Sequence, residues 1–154
     1  MRLPSKIFAF FFAFISTVFA QTPDCLHDAH NFRCVKYLKN YDADTITFNI
    51  PDVHPLVGER ISIRVKGIDT PEIRTKDQCE KDLAFKGRLF VKGMMESAER
   101  IDLLNIKRGK YFRIVADVIA DGKSVAEEIR KNKLGYFYNG GTKKKVNWCE
   151  FGKN

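Results

Sequence analysis

The chain has 154 residues, 44% hydrophobic and 30% charged, with 27 Lys and Arg against 19 Asp and Glu and a formal net charge of +8. That length suffices for one domain with a real core, and no internal repeat, low-complexity segment or interdomain linker breaks it, which excludes repeat and multidomain architectures. The basic balance favours a polyanionic partner (nucleic acid, acidic glycan or anionic membrane surface) without choosing among them.

Residues 1–20 read as a targeting segment. Arg2 and Lys6 form a positive start, Ile7 to Phe19 is nearly unbroken apolar sequence, and Val18-Phe19-Ala20 offers small residues at a cleavage site. A secretory signal peptide cut after Ala20 is expected, since the apolar run is short for a membrane span of about 20 residues. Removal of Arg2 and Lys6 lowers the net charge from +8 to +6. The expected domain is residues 21–154, secreted or periplasmic, with no membrane anchor once the signal is removed.

All four cysteines, Cys25, Cys34, Cys79 and Cys149, lie in that domain. Four cysteines allow three pairings. Cys25 and Cys34 bracket a short loop and are assigned to each other, which leaves Cys79 with Cys149 and ties the tail to the middle of the chain. His27 and His30 between the first two cysteines suggest a zinc site, but an oxidising compartment and the lack of paired Cys-x-x-Cys or His-x-x-x-His spacing favour the disulfide.

In chain order, Phe32 to Asn40 reads as a first strand and Tyr41 to Asp44 as a turn. Thr45 to Ile50 alternates as a second strand, Pro51 to Gly58 is a loop, and Arg60 to Ile68 a third strand. Arg64 falls on the face opposite Ile61, Ile63 and Val65. The period then changes: Leu83, Gly87, Phe90, Met94, Ala98 and Ile101 predict a helix from about Glu80 to Arg100. Asp102 to Ile106 and Tyr111 to Ala120 are further strands, Asp121-Gly122 a turn. Ser124-Val125-Ala126-Glu127 is a capping box opening a helix that runs to about Lys133. The pattern is α+β, mainly β: a five-stranded OB-type barrel with two or so packed helices.

The candidate chemistry gathers where the third strand ends. Arg64, then Asp69-Thr70-Pro71-Glu72, leave the strand together, because Pro71 donates no ladder hydrogen bond. Carboxylates beside guanidiniums suit a hard cation and a phosphate. Asp42-Ala43-Asp44-Thr45 precedes this stretch, and Lys110-Tyr111-Phe112-Arg113 precedes an Ala-Asp-Gly turn and the capped helix. An isolated Asp-Thr-Pro-Glu would more often be a solvated strand end. Three motifs in order over Tyr41 to Tyr138 resemble the staphylococcal nuclease (thermonuclease) family, and the cysteines and Lys-rich tail are similar to those of its exported bacterial members.

The resemblance implies Ca²⁺-dependent hydrolysis of DNA and RNA phosphodiesters on an OB-fold, leaving 3′-phosphate and 5′-hydroxyl ends; a monomer is expected. It implies Asp44, Asp69 and the Thr70 carbonyl as metal ligands, with Asp42 supporting them from outside the ligand set. Arg64 and Arg113 would bind the scissile phosphate, and Glu72 would position or deprotonate the attacking water. Lys110 and Tyr111 would hold a terminal phosphate and Tyr138 would stack on a base. The alternative is an OB-fold nucleic-acid-binding module without hydrolysis. Four departures from the family pattern carry expectations. Ala43 replaces a Gly and would be strained if that position needs positive φ. Phe112 replaces another Gly, and its ring is expected to crowd the nucleotide pocket. The segment from Leu134 to Tyr138 is one residue short of the staphylococcal enzyme. The long C-terminal helix is absent, and the Cys79–Cys149 bridge is expected to substitute for it.

Overall fold

The computed structural model describes residues 24–109 and 112–151. The expected signal segment lies outside them, as do Lys110 and Tyr111. Alternating apolar residues build β2 (Thr45–Asn49) and β3 (Ile61–Val65), and β1 (Lys36–Asn40), whose register with β2 shifts between Tyr37 and Lys39, completes an antiparallel meander. Ile46 and Phe48 of β2 and Ile63 and Val65 of β3 point into the core, and all are almost fully buried. The loop expected between β2 and β3 contains one helical turn, α1 (Pro55–Gly58). Its cap is His54, whose Nδ1 accepts from the Leu56 amide at 3.2 Å.

The third strand is shorter than its sequence pattern suggests. Gly67 adopts φ +81°, a left-handed conformation that costs a residue with a Cβ about 1–2 kcal/mol. The chain turns there and starts β4 (Ile68–Asp69), which leaves the main sheet and pairs with β8 (Tyr136–Phe137), Ile68 beside Phe137 and Asp69 beside Tyr136. This switch lifts Asp69 off the sheet that carries Arg64.

The long helix α2 (Gln78–Ser97) begins two residues before the expected start, because the Asp77 carboxylate caps it by accepting from the Glu80 amide at 3.1 Å. Its fully buried residues are Ala84, Gly87, Val91 and Met95, while Leu83, Phe90, Met94 and Ala98 flank them, partly buried. The buried stripe is thus turned by one residue from the expected one. That buried row holds two small residues, Ala84 and Gly87, and two larger ones, Val91 and Met95. Ile101, the last residue of the helical apolar period, lies beyond the expected helix end and starts β5 (Ile101–Arg108). The helix stops at Ala98 because the Asp121 carboxylate accepts from the Glu99 and Arg100 amides, at 3.3 and 2.8 Å, and pulls the chain out into a strand.

After β6 (Ile114–Ala120), Asp121 and Gly122 both have positive φ in the two-residue turn to β7 (Lys123–Ser124), the geometry an Asp-Gly hairpin favours. Helix α3 (Val125–Lys131) follows. Its capping box forms by half. The Ser124 hydroxyl accepts from the Glu127 amide at 3.4 Å, but the Glu127 carboxylate pairs with Arg130 at 2.7 Å instead of reaching back.

Among the described residues the main sheet runs β1-β2-β3-β6-β5, with β7 beside β6, six strands where five were expected. The β3–β6 pair is parallel, Ile63 beside Ile114 and Arg64 beside Val115. The two sheet edges meet through the arm ahead of β1. Phe32 exchanges backbone hydrogen bonds with Leu103 at 2.8 and 2.7 Å, and the Val35 amide donates to the Ile101 carbonyl at 2.9 Å. This contact is an isolated bridge, so the expected OB barrel is partly open and lacks a continuous closing ladder. The arrangement remains mainly β, of OB type, with α2 and α3 packed on it. Among the described residues no helix is long and apolar enough to cross a membrane.

Both disulfides form as paired above, with Cα–Cα distances of 5.3 Å for Cys25–Cys34 and 5.0 Å for Cys79–Cys149. The second fastens the tail to the first turn of α2. Between Tyr138 and Phe151 the chain is irregular, and Trp148 packs beside Tyr136 and Phe151 at ring distances of 6.0 and 4.9 Å. The sequence separations of 70 and 9 residues set the expected stabilities. Replacing Cys79 and Cys149 by Ser should cost about 4 kcal/mol, and replacing Cys25 and Cys34 about 2.5 kcal/mol, by loop-closure entropy. Guanidinium titrations of the two double variants test the order. Equal losses would contradict it.

Candidate active site

The site lies on the face of the main sheet opposite the core. Arg64 alternates with the buried Ile63 and Val65, so its side chain leaves on that face. The ladder places Thr45 directly opposite Arg64, and Asp44 immediately precedes Thr45. The parallel register sets Val115 beside Arg64 on the other side, two residues after Arg113. Gly67 then turns Asp69 back over Arg64.

Asp44 and Asp69 are 1% and 3% exposed. Buried carboxylates need partners, and both find the same one. Arg64 Nη1 donates to Asp44 Oδ1, and Nη2 donates to Asp69 Oδ1 at 2.8 Å and to the Ile68 carbonyl at 3.4 Å. Thr70 locks the other side of Asp44, its amide and hydroxyl donating to Oδ2 at 3.2 and 2.8 Å. The Thr45 hydroxyl donates to Oδ1 at 3.1 Å. Asp42 supports this turn by accepting the Asp44 amide at 3.1 Å, and the Val65 amide donates to the Asp44 carbonyl at 2.8 Å.

Burial pushes the Asp44 carboxyl up to about 7, and the nearby Asp42 adds to this, while Arg64 and the Thr70 hydroxyl pull it down. The Tyr136 hydroxyl donates to Asp69 Oδ2 at 2.9 Å. Burial first, and that bond second, hold the phenol above its usual range. Lys143, from the tail, bonds Asp69 Oδ1 and Glu72 Oε1, each at 3.0 Å. Burial pulls its pKa down, but those two bonds outweigh burial and raise it. Glu72 is otherwise exposed, its amide donating to Glu80 Oε1 at 3.1 Å.

Beside the buried acids lies a cleft of about 970 Å³, whose walls include Arg64, Arg113, Glu72, Asp42 and Tyr138. Arg113 is exposed, and among the described residues its guanidinium has no hydrogen bond or ion pair. It is therefore available to an anion in the cleft. Tyr138 donates its amide to the Gly67 carbonyl at 3.1 Å and its hydroxyl to the Gly141 carbonyl at 2.6 Å, which fixes the ring in the wall. The structure thus brings Asp42, Asp44, Arg64, Asp69, Thr70, Glu72, Arg113 and Tyr138 together. Lys110 and Tyr111 fall outside the described residues.

Two expectations are corrected. Ala43 does not lie in the left-handed region, so no backbone strain attaches to it. It is 1% exposed and packs where Gly87 of α2 makes room. A Cβ on Gly87 would stand 3.1 Å from the Ala43 Cβ, tighter than ordinary contact. The methyl at 43 and its absence at 87 are therefore matched. Phe112 does adopt φ +58°, but its ring is absent from the cleft wall. It is 77% exposed, with the Arg108 guanidinium 4.9 Å from its centre.

Sequence reasoning missed Tyr136, Lys143 and further cleft residues, Tyr41, Lys66 and Lys107. Tyr136 is revealed only by the β4–β8 register, which sets it beside Asp69. Nothing in a run of three lysines marks Lys143.

An OB-type sheet carrying a basic cleft around paired buried carboxylates defines a protein of nuclease or nucleic-acid-binding type. Residues 62–147, more than half of the chain, match the sequence model of the family described as staphylococcal nuclease homologue, and the chain belongs to that family. No curated protein matches it.

Gly135 tests how closely the site is packed. A Cβ there would lie 2.7 Å from the Asp69 carbonyl oxygen and 3.0 Å from Thr70 Cγ2. Gly135→Ala should destabilise the protein by about 1–3 kcal/mol through overpacking against backbone and shift the amide resonances of Asp69 and Thr70. Unchanged stability in urea titration would show that this contact is slack.

Proposed function

We propose that this chain is an exported, Ca²⁺-dependent, sugar-nonspecific nuclease that hydrolyses phosphodiester bonds of DNA and RNA, leaving 3′-phosphate and 5′-hydroxyl ends. One observation carries the reading. Asp44 and Asp69, from different parts of the chain, bond to the two terminal nitrogens of one guanidinium, and that arginine, Arg64, lines a cleft together with Arg113 and Glu72. The donor set fits Ca²⁺, because carboxylate and carbonyl oxygens are the hard ligands it takes, and a positive charge already stands between the two acids. Asp44, Asp69 and the Thr70 carbonyl are the residues to hold it. Bound there, Ca²⁺ supplies positive charge that offsets the charge gathering on the phosphoryl oxygens in the transition state.

The remaining chemistry belongs to side chains. Arg113 pairs with the phosphate oxygens through its planar fork, and Arg64 does so from the other wall. Glu72 sits on the rim, where a carboxylate orients a water and takes its proton. Tyr138 offers a ring face to a base, and Lys110 and Tyr111 are assigned to a terminal phosphate. Asp42 holds the Asp44 turn in place. Two disulfides suit an oxidising compartment, and the apolar leader supports export. All the described site residues come from one chain, which supports a monomer.

Plasmid DNA and RNA incubated with Ca²⁺, and with a chelator, test the reading. Cleavage should vanish with chelator and fall about a hundred- to a thousandfold in Arg113→Ala. Tight binding without cleavage would establish the second reading, a non-catalytic module, which is favoured by the Lys143 ammonium resting on Glu72. The Asp44 ionisation adds a pH dependence. Only the ionised carboxylate holds a cation, so protons compete with Ca²⁺ below the raised pKa of about 7. At limiting Ca²⁺, cleavage should rise with pH through about 7 and level off above it, and saturating Ca²⁺ should shift the rise to lower pH. A profile that Ca²⁺ leaves unmoved would remove Asp44 from the ligand set.

A further inference from the structure

We infer that Lys143 is a tethered internal counter-ion that competes with a divalent cation for Asp69 and Glu72, and so limits how tightly this chain holds metal. The inference rests on the reading of Asp44 and Asp69 as metal-holding carboxylates, and deepens it by giving the tail a part in the site.

Asp69 Oδ1 is shared by two cationic groups, Arg64 Nη2 at 2.8 Å and Lys143 Nζ at 3.0 Å, while its other oxygen is taken by Tyr136. A metal ion approaching Asp69 Oδ1 therefore meets the lysine ammonium at that atom. The same ammonium also reaches Glu72 Oε1 at 3.0 Å. It thus bridges a carboxylate assigned to the metal and the one assigned to the attacking water.

The two cationic partners of Asp69 differ in how they are held. Arg64 comes from the middle of a ladder, and its position is set by β2 and β6. Lys143 comes from irregular chain, and its side chain is 48% exposed. It can swing into the cleft on its own stem while the backbone stays fixed. The tail is pinned on both sides of it. The Gly141 carbonyl accepts the Tyr138 hydroxyl, Trp148 packs on Tyr136, and Cys149 is bonded to Cys79. A tethered ammonium acts at a high effective concentration, which a free salt cation does not match. When a divalent ion takes Asp69, the displaced Lys143 still lines the cleft, where its charge adds to those facing a phosphodiester.

Calorimetric titration of the purified protein with CaCl₂ tests this without reference to cleavage. Lys143→Met should bind Ca²⁺ about three- to tenfold tighter than the unmodified protein, the effect of removing one nearby, partly screened charge. Lys143→Arg, which keeps the charge, should stay close to the unmodified protein. Cys79→Ser/Cys149→Ser should also bind more tightly, and adding Lys143→Met to it should give little further gain. Asp69→Asn should abolish the binding heat, which assigns the heat to this site. If Lys143→Met binds Ca²⁺ no better than the unmodified protein while Asp69→Asn still abolishes binding, the lysine is no competitor and the metal reading survives. If neither the unmodified protein nor Lys143→Met binds Ca²⁺, the metal reading fails, and the counter-ion with it.

Discussion

Two carboxylates buried side by side repel each other and lose their water, so neither Asp44 nor Asp69 could be held in place without a charge between them. Arg64 supplies it. Its terminal nitrogens take one oxygen from each acid, and the rest of the site is arranged to keep that fork in place. Thr45 pairs with Arg64 in the ladder, Thr70 fixes the far oxygen of Asp44, and Tyr136 fixes the far oxygen of Asp69. Removal of Arg64 would strip both buried carboxylates of their shared cation and push the Asp44 carboxyl further towards its neutral form, which is why the acids and the guanidinium are best regarded as one unit.

That unit depends on a change of sheet. Gly67 allows the backbone to leave β3 in a left-handed turn, and β4 then pairs with β8. Had the third strand continued, Asp69 would have stayed in the plane of the main sheet, away from Asp44. The close approach of Gly135 to the Asp69 carbonyl completes the fold-back, since a side chain there would push the strand away. Matched packing between Ala43 and Gly87 does the same for the Asp44 turn, anchoring it on α2. The acids are thus placed by backbone geometry and small residues, and polar side chains do the final adjustment.

The tail adds a second layer. The tail is held by a disulfide to α2 and a small aromatic cluster of Tyr136, Trp148 and Phe151. Tyr136 belongs to both systems, with its ring against Trp148 and its hydroxyl on Asp69. Covalent attachment of the tail and polar order in the site are therefore coupled through one residue, and Lys143 travels with them.

Much of this was legible in the amino-acid order. Period-two alternation identified β2 and β3, the Asp-Gly turn and Ser124 cap marked β6 and α3, and three short motifs indicated the family and its acids and arginines. These features are local, because residue spacing reports which face of a single element is buried and where a turn begins. The α2 stripe was misplaced by one residue because large apolar residues flank a helix contact as readily as they fill it. What only the tertiary structure decided was non-local: the parallel register that sets Val115 beside Arg64 and so brings Arg113 to the same cleft, the β4–β8 pair that sets Tyr136 on Asp69, and the folding back of Lys143. Pairing between strands distant in the chain depends on which packing buries the most surface for the whole domain. No window of sequence contains that sum.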